Sequence, residues 1–437
     1  MIKKISLSIL LSTLVFSQEV TLDDLVTKAL NNSPDIKISQ ASYKASSQKT
    51  LQADADYLPQ VNLNAEAGKQ SVDYKDQKVD VGAGQTPLEF GRQETDLLLG
   101  SVTAKQLIYD FGKTTGNIEK FEYQEKASKS SMQQTISNKI FSVKKSYYAL
   151  LSQHALVKVN QEDVKLNEQQ LYRSQRYFEA GIRTKVDITD AKVNLIKAQL
   201  SLQDTKYNIK LASVDLNKEL GINSDKVSYD IYIPNLDLKN VYESLTKLTK
   251  DEKYYREEAY NNRAELQEYR YLVDSYKAQY KRINGDYYPG LYANGEYMLQ
   301  DVDEDAFAPE EQWKATVSVE WNLFSGNKTK AQEEEARINI LKSQAQLDDT
   351  LLKIQKEVSD AYISVNKELD NIKLSQSLTE ASKEKYIQAE KRYENGLADF
   401  VELQEARQTY IDSLADLTQR YYRYYTALAQ LDNAIGK

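Results

Sequence analysis

Cysteine is absent from this 437-residue sequence, and histidine occurs once, as His154. The absence of cysteine excludes disulfides, thiol catalysis, cysteine-based metal sites and a lipid anchor on an N-terminal cysteine. His154 falls on a helical heptad position, where packing explains it better than catalysis, and no nucleophile triad surrounds it. We therefore expect a protein that is not an enzyme and that uses neither a cofactor nor a metal.

Long apolar runs are also missing beyond the N-terminus. Met1–Ser17 combines basic Lys3 and Lys4 with a short apolar stretch and small residues near its end, which predicts a secretory signal peptide. No later segment approaches the roughly 20 apolar residues of a membrane-spanning helix. The chain is therefore expected to leave the cytoplasm and, if it enters a membrane, to do so as a β-barrel.

Basic character and helix-breaking residues are both scarce. The formal net charge is −8, which argues against nucleic acid as a partner because that role requires a basic face. Only 15 glycines and 6 prolines interrupt a chain in which 28% of residues are charged, a composition typical of long, solvated helices. Tyrosine, by contrast, occurs 32 times, and its amphipathic ring suits membrane interfaces and hydrated helix packing.

The sequence contains an internal duplication. Two pairs recur at a spacing of 230 positions: Ala29 with Ala259, and Pro59 with Pro289. Farther along the chain the spacing falls to 215 positions: Glu179 with Glu394, Gly181 with Gly396, and Ala191 with Ala406. The first copy therefore carries 15 additional residues, the difference between 230 and 215, placed between Pro59 and Gly112.

The duplication divides the chain into four parts. Residues 1–17 form the signal peptide, and residues 18–221 form a first repeat made of a helix, a β-hairpin and a long helical hairpin. Residues 222–250, with strand-like Val227–Ile233 and Pro234, form a linker packed on the outside of the helical part. Residues 251–437 form the second repeat. In each copy, Pro59 or Pro289 ends the opening helix, because proline cannot continue a helix interior.

Segments with period-two alternation follow both prolines. The predicted apolar faces are Val61, Leu63 and Ala65; Val102, Ala104 and Ile108; Leu291, Ala293 and Tyr297; and Trp313, Ala315, Val317, Val319, Trp321 and Leu323. Such alternation over about 10 residues is typical of membrane β-strands, although a half-buried soluble hairpin shows it too. The signal peptide, the duplication and the aromatic residues at strand ends favour membrane strands. Polar loops, roughly Lys69–Glu94 and Gln300–Glu311, join them.

Apolar residues then recur every seven positions, which predicts coiled coils. In copy one the series is Ile136, Val143, Leu150, Val157, Val164, Leu171 and Phe178, and after Gly181 it is Val186, Val193, Leu200, Tyr207 and Val214, with a companion series at Ile188, Leu195, Leu202, Ile209 and Leu216. In copy two it is Leu351, Val358, Val365, Ile372, Thr379, Tyr386 and Tyr393, and after Gly396 the companion series is Leu403, Tyr410, Leu417, Tyr424 and Leu431. Gly181 and Gly396 interrupt the series and are predicted to be hairpin turns.

Two hairpins supply four strands, and this number carries a physical consequence. An open four-stranded sheet has unpaired edge groups that lipid cannot satisfy. Small membrane barrels begin at eight strands. At least two chains must therefore share one barrel, and closed cyclic symmetry is the expected arrangement.

These features resemble the TolC family of outer-membrane efflux proteins over essentially the whole mature chain. The resemblance is carried by Ala29-Leu30-Asn31-Asn32 and Ala259-Tyr260-Asn261-Asn262, by the strand entries at Tyr57-Leu58-Pro59 and Tyr287-Tyr288-Pro289, and by the runs from Phe178 to Ala191 and from Tyr393 to Ala406. It implies a mostly α-helical fold with a long coiled-coil α-barrel, in which four strands per protomer contribute to a 12-stranded trimeric transmembrane barrel. It implies residence in the outer membrane and a helical extension into the periplasm.

The resemblance also implies a function. The homotrimer would be the passive exit duct of a tripartite efflux or type I secretion system, in contact with outer-membrane lipid. Its partners would be a periplasmic adaptor (membrane fusion) protein and an inner-membrane transporter of the RND, ABC or MFS class. A periplasmic or secreted coiled-coil adaptor or structural protein is the rival interpretation, and it predicts no membrane fractionation.

By motif match, the resemblance implies a periplasmic gate near the hairpin turns. The candidates are Asp187, Asp190 and Arg183 in copy one and Glu402, Glu405 and Tyr393 in copy two, with Gly181 and Gly396 at the turns where an adaptor would dock. The family's arginine and aspartates normally belong to the second copy, whereas here they lie in the first. Either acidic pair therefore remains a candidate for lining the aperture, and position favours Glu402 and Glu405.

Overall fold

The computed structural model describes residues 21–73, 78–79, 88–89, 92–223, 240–301 and 311–437. The predicted signal peptide, the strand-like segment with Pro234 and most of both inter-strand loops lie outside the described residues. The chain forms two compact units. The helical unit comprises the chain up to Ala41, Ser131–Leu266 and Thr350–Lys437, and the sheet unit comprises Ser42–Ser130 and Gln267–Asp349.

The order of elements follows the predicted duplication. Copy one contains helices α1 (Leu22–Asn32) and α2 (Pro34–Asp54), strands β1 (Gln60–Asp73), β2 (Lys78–Val79), β3 (Leu88–Glu89) and β4 (Arg92–Tyr109), and helices α3 (Lys113–Glu179) and α4 (Lys185–Glu219). After the short helix α5 (Val241–Ser244), copy two contains α6 (Glu252–Asn262), α7 (Ala264–Gly285), β5 (Gly290–Asp301), β6 (Glu311–Glu320), α8 (Lys328–Glu394) and α9 (Phe400–Ala434). Helices α3 and α8 each have 67 residues, and α4 and α9 each have 35.

The expectation of one opening helix per copy is wrong, because each is divided in two. In copy one the break is at Ser33, whose ψ of 126° is extended, and Pro34 disfavours a helical conformation at the residue before it. In copy two the break is at Arg263, with ψ 115° and no proline. Its buried guanidinium lies 2.7 Å from a carboxylate oxygen of Glu265 and 2.8 Å from one of Glu357. These ion pairs hold the break where proline is absent.

The glycines that end the repeats pack closely against the two helix breaks. Gly221 has φ 67°, and a Cβ there would lie 2.9 Å from the carbonyl oxygen of Asn32. Gly436 has φ 82°, and its Cβ would lie 2.9 Å from the carbonyl of Asn262. A side chain at either position would meet both a strained backbone and a backbone clash. The Asn-Asn sequences and the distant glycines therefore form one packing feature that occurs twice.

We expect Gly221→Ala to destabilise the helical unit more than Gly181→Ala does. Both glycines have positive φ, but a Cβ at Gly181 meets nothing within 4 Å. The left-handed conformation costs each alanine about 1–2 kcal/mol, and overpacking adds roughly 1–3 kcal/mol at Gly221 alone. Free energies of unfolding from denaturant titration measure the difference, and equal losses in the two variants would contradict it.

The sheet unit contains a four-stranded antiparallel sheet in the order β1-β4-β5-β6. The pairing places Leu63, Val102, Tyr297 and Trp313 in one row across all four strands. The adjacent row, on the opposite face, is Asn62, Thr103, Glu296 and Lys314. The predicted apolar residues of the two copies thus share one face, since side chains alternate between faces along a strand.

The apolar face is open in the single chain. Leu63 is 77% exposed and Trp313 is 74% exposed, and β1 and β6 each have one unpaired edge in the described sheet. An apolar patch of this extent indicates a surface that contacts lipid or another chain. The predicted strand to Leu323 is too long, because β6 ends at Glu320 and Trp321 lies beyond it.

Across the described ranges, no helix combines the length and the apolar character needed to cross a membrane.

The seven-residue series differ from one another in burial. In copy two most of the predicted positions are buried, including Val358, Val365, Ile372, Tyr393 and Leu431. In copy one Val143 and Leu150 are buried, but the whole series on α4 is exposed: Val186, Val193, Leu200, Tyr207 and Val214. Ala191, Ala198 and Thr205 are buried on α4 instead, and their small side chains allow a close approach of helices. The companion series on α4 is half-buried from Ile188 to Ile209 and fully buried at Leu216.

Candidate functional site

The predicted turns have the same backbone structure in both copies. Between α3 and α4, Gly181 has φ 71°, and the Ile182 N–H donates to the Tyr177 carbonyl at 2.9 Å. Between α8 and α9, Gly396 has φ 73°, and the Leu397 N–H donates to the Arg392 carbonyl at 2.8 Å. These bonds are those of a Schellman motif, in which a left-handed glycine ends a helix. The predicted positions of both turns are confirmed.

Arg183 joins the turn of copy one to the turn of copy two. Its Nη2 donates a hydrogen bond of 3.0 Å to the carbonyl oxygen of Ala398, and its guanidinium lies 4.8 Å from the centre of the Tyr393 ring. Ala398 is the repeat equivalent of Arg183, 215 positions later. The residues that the sequence separates between the copies thus meet in space, and one cation links the two helical hairpins.

Tyr393 is the buried centre of this contact. It is 1% exposed and packs in an apolar cluster with Ala191, Ala398, Phe400 and Leu403. Burial raises the pKa of the Tyr393 hydroxyl, the charge of Asp187 acts in the same direction, and Arg183 opposes it. The ring therefore stays neutral and offers Arg183 a face for a cation–π contact.

The four acidic candidates have different surroundings. Asp187 lies in the first turn of α4, where its Oδ1 accepts a bond of 3.4 Å from the Thr184 hydroxyl. Glu402, in the first turn of α9, forms an ion pair of 3.2 Å with Arg392. Asp190 and Glu405 are exposed. The charge of Asp187 thus acts on Tyr393, while Glu402 is held by an ion pair within its own hairpin.

Sequence reasoning missed a second link between the hairpins. Arg173 of α3 contacts Glu390 at 2.9 Å and Glu394 at 2.8 Å, both on α8. The two glutamates are four residues apart and share one helix face. The sequence signal that could have indicated this link is the pair of glutamates four residues apart before Gly396, together with Arg173 before Gly181.

A buried ion pair lies farther from the turns. Arg407 of α9 is 4% exposed, and its Nη1 lies 3.6 Å from Asp163 of α3. Among the described residues, its Nε and Nη1 make no hydrogen bond. Burial lowers the pKa of Arg407 and raises the pKa of Asp163, which Arg407 and Asn167 oppose. Desolvation thus outweighs the attraction within this pair, as is common for buried ions.

We expect Asp163→Leu to destabilise the helical unit by about 3–5 kcal/mol, because it leaves the Arg407 guanidinium buried without a counter-charge. Adding Arg407→Met should restore most of this loss, because the charge is then removed as well. Asp204→Leu, at an exposed position on α4, is the control and should change stability by less than about 0.5 kcal/mol. Chemical denaturation measures all three, and a double variant as unstable as Asp163→Leu would contradict the expectation.

Comparison with known proteins decides the family. The model of the outer membrane efflux protein family matches residues 25–222 and 255–437, which covers both repeats. This chain belongs to that family. The export channel in the outer membrane that the sequence resemblance implied is therefore confirmed, and the rival interpretation as a periplasmic or secreted coiled-coil protein is not supported.

Individual relatives of this efflux protein agree with the assignment. The probable efflux pump outer membrane protein TtgC of Pseudomonas putida is 20% identical over 424 residues, covering 96% of this chain and 84% of the relative. The antibiotic efflux pump outer membrane protein ArpC of Pseudomonas putida has the same identity and coverage.

Solved structures share the fold. The outer-membrane channel OprN has a TM-score of 0.81 at 17% identity, covering 95% of this chain and 89% of that one. CusC has a TM-score of 0.81 at 15% identity, covering 96% of this chain and 93% of that one. The predicted fold class, mostly helical with a small four-stranded part in a TolC-like duplicated arrangement, is confirmed.

Proposed function

We propose that three copies of this chain form the passive exit duct of a tripartite efflux or type I secretion system. A periplasmic adaptor protein and an inner-membrane transporter of the RND, ABC or MFS class would deliver the cargo and supply the energy. The duct itself carries out no catalytic step and uses no cofactor. Each chain would contribute its four strands to a closed twelve-stranded sheet, and the repeats would extend over residues 18–221 and 251–437.

The observation that carries this proposal is the exposed apolar series on α4. Val186, Val193, Leu200, Tyr207 and Val214 are all exposed in the single chain, although a sustained seven-residue repeat indicates packing against another helix. A neighbouring copy supplies such a helix under cyclic symmetry. The unpaired edges of β1 and β6 support the same conclusion, because they too require partners in lipid.

Native mass spectrometry of the detergent-solubilised protein tests the assembly. We expect a complex with the mass of three chains, and Leu200→Asp should favour the single chain because it places a carboxylate in the apolar contact. Asp204→Leu is the matched control on the same helix and should leave the complex intact. A wild-type protein that stays a single chain in this experiment would overturn the proposal.

The proposed gate lies at the helical turns. Arg183 and Tyr393 would hold the two hairpins of each chain together in the closed state, and the acidic side chains Asp187, Asp190, Glu402 and Glu405 would line the entrance. Carboxylates brought together by threefold symmetry repel each other and attract cations. Glu402 and Glu405 remain the preferred pair for the narrowest ring. The turns at Gly181 and Gly396 would be the docking points for the adaptor.

A further inference from the structure

A cavity of about 290 Å³ lies in the sheet unit, where the helices end and the strands begin. Three of its seven lining residues are the cations Lys113, Lys120 and Arg282, and one is the acid Asp56. Its volume is close to the lower end of the range for small-molecule sites, about 300 Å³. The cavity is therefore small, polar and predominantly positive.

The cations of this cavity exceed the carboxylates available to them. Lys113 forms an ion pair of 2.7 Å with Asp286, and Arg282 lies 3.9 Å from the other oxygen of the same carboxylate. Within the described ranges, no ion pair involves Lys120, whose ammonium lies 4.4 Å from the centre of the Phe121 ring. Asp56 accepts a bond of 3.4 Å from Asn117. One shared carboxylate thus serves two cations, and the third has none.

The electrostatic state of Lys120 agrees with this surplus. Burial lowers the pKa of Lys120, and the positive charges of Arg282 and Lys49 lower it further. Cations held this close raise each other's energy, and an anion bound among them would remove that cost. Lysine and arginine are also the side chains that bind phosphate oxygens most strongly.

The position of the cavity indicates the source of the anion. Asp56 precedes β1 and Lys113 follows β4, so the cavity lies at the strand ends. Exposed aromatic rings occupy the same level: Tyr109 and Phe111 have ring centres 4.8 Å apart, and Phe111 stacks on Tyr288 at 5.1 Å. Exposed aromatic rings at strand ends are typical of the membrane–water interface.

We propose that this cavity binds the phosphate of an anionic phospholipid headgroup at the periplasmic side of the outer membrane. Lys120 and Arg282 contact the phosphate oxygens, and the exposed rings beside the cavity hold the glycerol and acyl region of the same lipid. The proposal rests on the proposed function only in requiring that the four-stranded sheet lies in the membrane.

Lipid titration of the assembled protein, followed by native mass spectrometry, tests this site. We expect phosphatidylglycerol to bind more tightly than phosphatidylcholine, and Lys120→Gln with Arg282→Gln to weaken phosphatidylglycerol binding about thirtyfold, because each cation contributes roughly fivefold to anionic-lipid attraction. Lys129→Gln with Lys277→Gln removes two exposed cations from the same helices, α3 and α7, and should have little effect. Lys120→Gln alone breaks no ion pair and should still weaken binding about fivefold.

Several outcomes would overturn the proposal. Equal binding of the two lipids by the wild-type protein would do so, as would equal losses in the cavity variant and its control. Inorganic phosphate that binds the detergent-solubilised protein without competition from phosphatidylglycerol vesicles would show a phosphate site that is not a lipid site. An assembled, conducting protein without lipid selectivity would contradict this site alone, whereas a protein that does not assemble would contradict the proposed function.

Discussion

Replacing Arg183 with alanine is expected to raise the ion current through the resting channel by at least about tenfold, because a hydrogen bond from a charged donor contributes roughly 1.5–3 kcal/mol. The substitution removes the bond to the Ala398 carbonyl and the contact with the Tyr393 ring. In the proposed gate both contacts hold the hairpins of one chain together. Their loss favours the open state in every copy, and a symmetric assembly multiplies the effect.

Planar-bilayer recordings of single channels measure this change directly. Arg176→Ala is the matched control, because Arg176 is exposed near the same turn and, within the described part of the chain, its side chain bonds only to Tyr172 and Glu179 of its own helix. It should leave the current unchanged. Arg183→Lys should give an intermediate current, since lysine keeps the charge but lacks the planar group that lies over the ring. Resting currents that are equal in Arg183→Ala and Arg176→Ala would refute this role of Arg183.

The contact of Arg183 with Tyr393 and Ala398 was predicted only in part from the sequence. The repeat spacing of 215 positions predicted both turns, and the match to the family motif selected Arg183 and Tyr393 as candidates. Neither indicated that they touch, because the acceptor for Arg183 is the backbone carbonyl of Ala398 and carries no side-chain signature.

The exposed series on α4 shows a different limit. Periodicity correctly predicted that Val193, Leu200 and their companions form one apolar stripe, but a stripe does not specify which partner covers it. Its repeat equivalent in α9 begins at Val401, which is also exposed, and small residues such as Ala191 and Ala406 hold the internal positions in both copies. The helix break at Arg263 could not be predicted from the sequence either, because Arg263 forms ion pairs with Glu265 and Glu357 and no proline follows it.

The sheet was the most predictable part of the fold. The alternation of apolar and polar residues shows which residues of a strand share a face, even when the pairing of the strands is unknown. The pairing in the structure then places Leu63, Val102, Tyr297 and Trp313 of the two copies in one row. The end of β6 was misplaced because Trp321 continues the alternation after the pairing has ended at Glu320. Trp321 instead donates from its indole N–H to the Tyr287 carbonyl at 3.1 Å.

Leu63→Arg is expected to abolish insertion of the protein into the outer membrane. A charged side chain on the lipid face of a membrane strand costs about 2–4 kcal/mol at the bilayer centre, and three copies in one assembly would bring the total to about 6–12 kcal/mol. Leu63 lies in the row with Val102, Tyr297 and Trp313. Its paired residue Val102 and the nearest residues on the same face of β4, Gly100 and Ala104, offer the arginine no carboxylate.

Asn62→Arg is the control that separates the lipid face from the strand itself. Asn62 is the preceding residue of β1, pairs with Thr103, and lies in the row that contains Glu296. The same arginine there faces away from lipid and gains an acidic residue in its row. We therefore expect normal amounts of heat-resistant oligomer in the outer-membrane fraction for Asn62→Arg and almost none for Leu63→Arg. Equal amounts would mean that the apolar face of the sheet does not contact lipid, and the assignment of this face would have to be withdrawn.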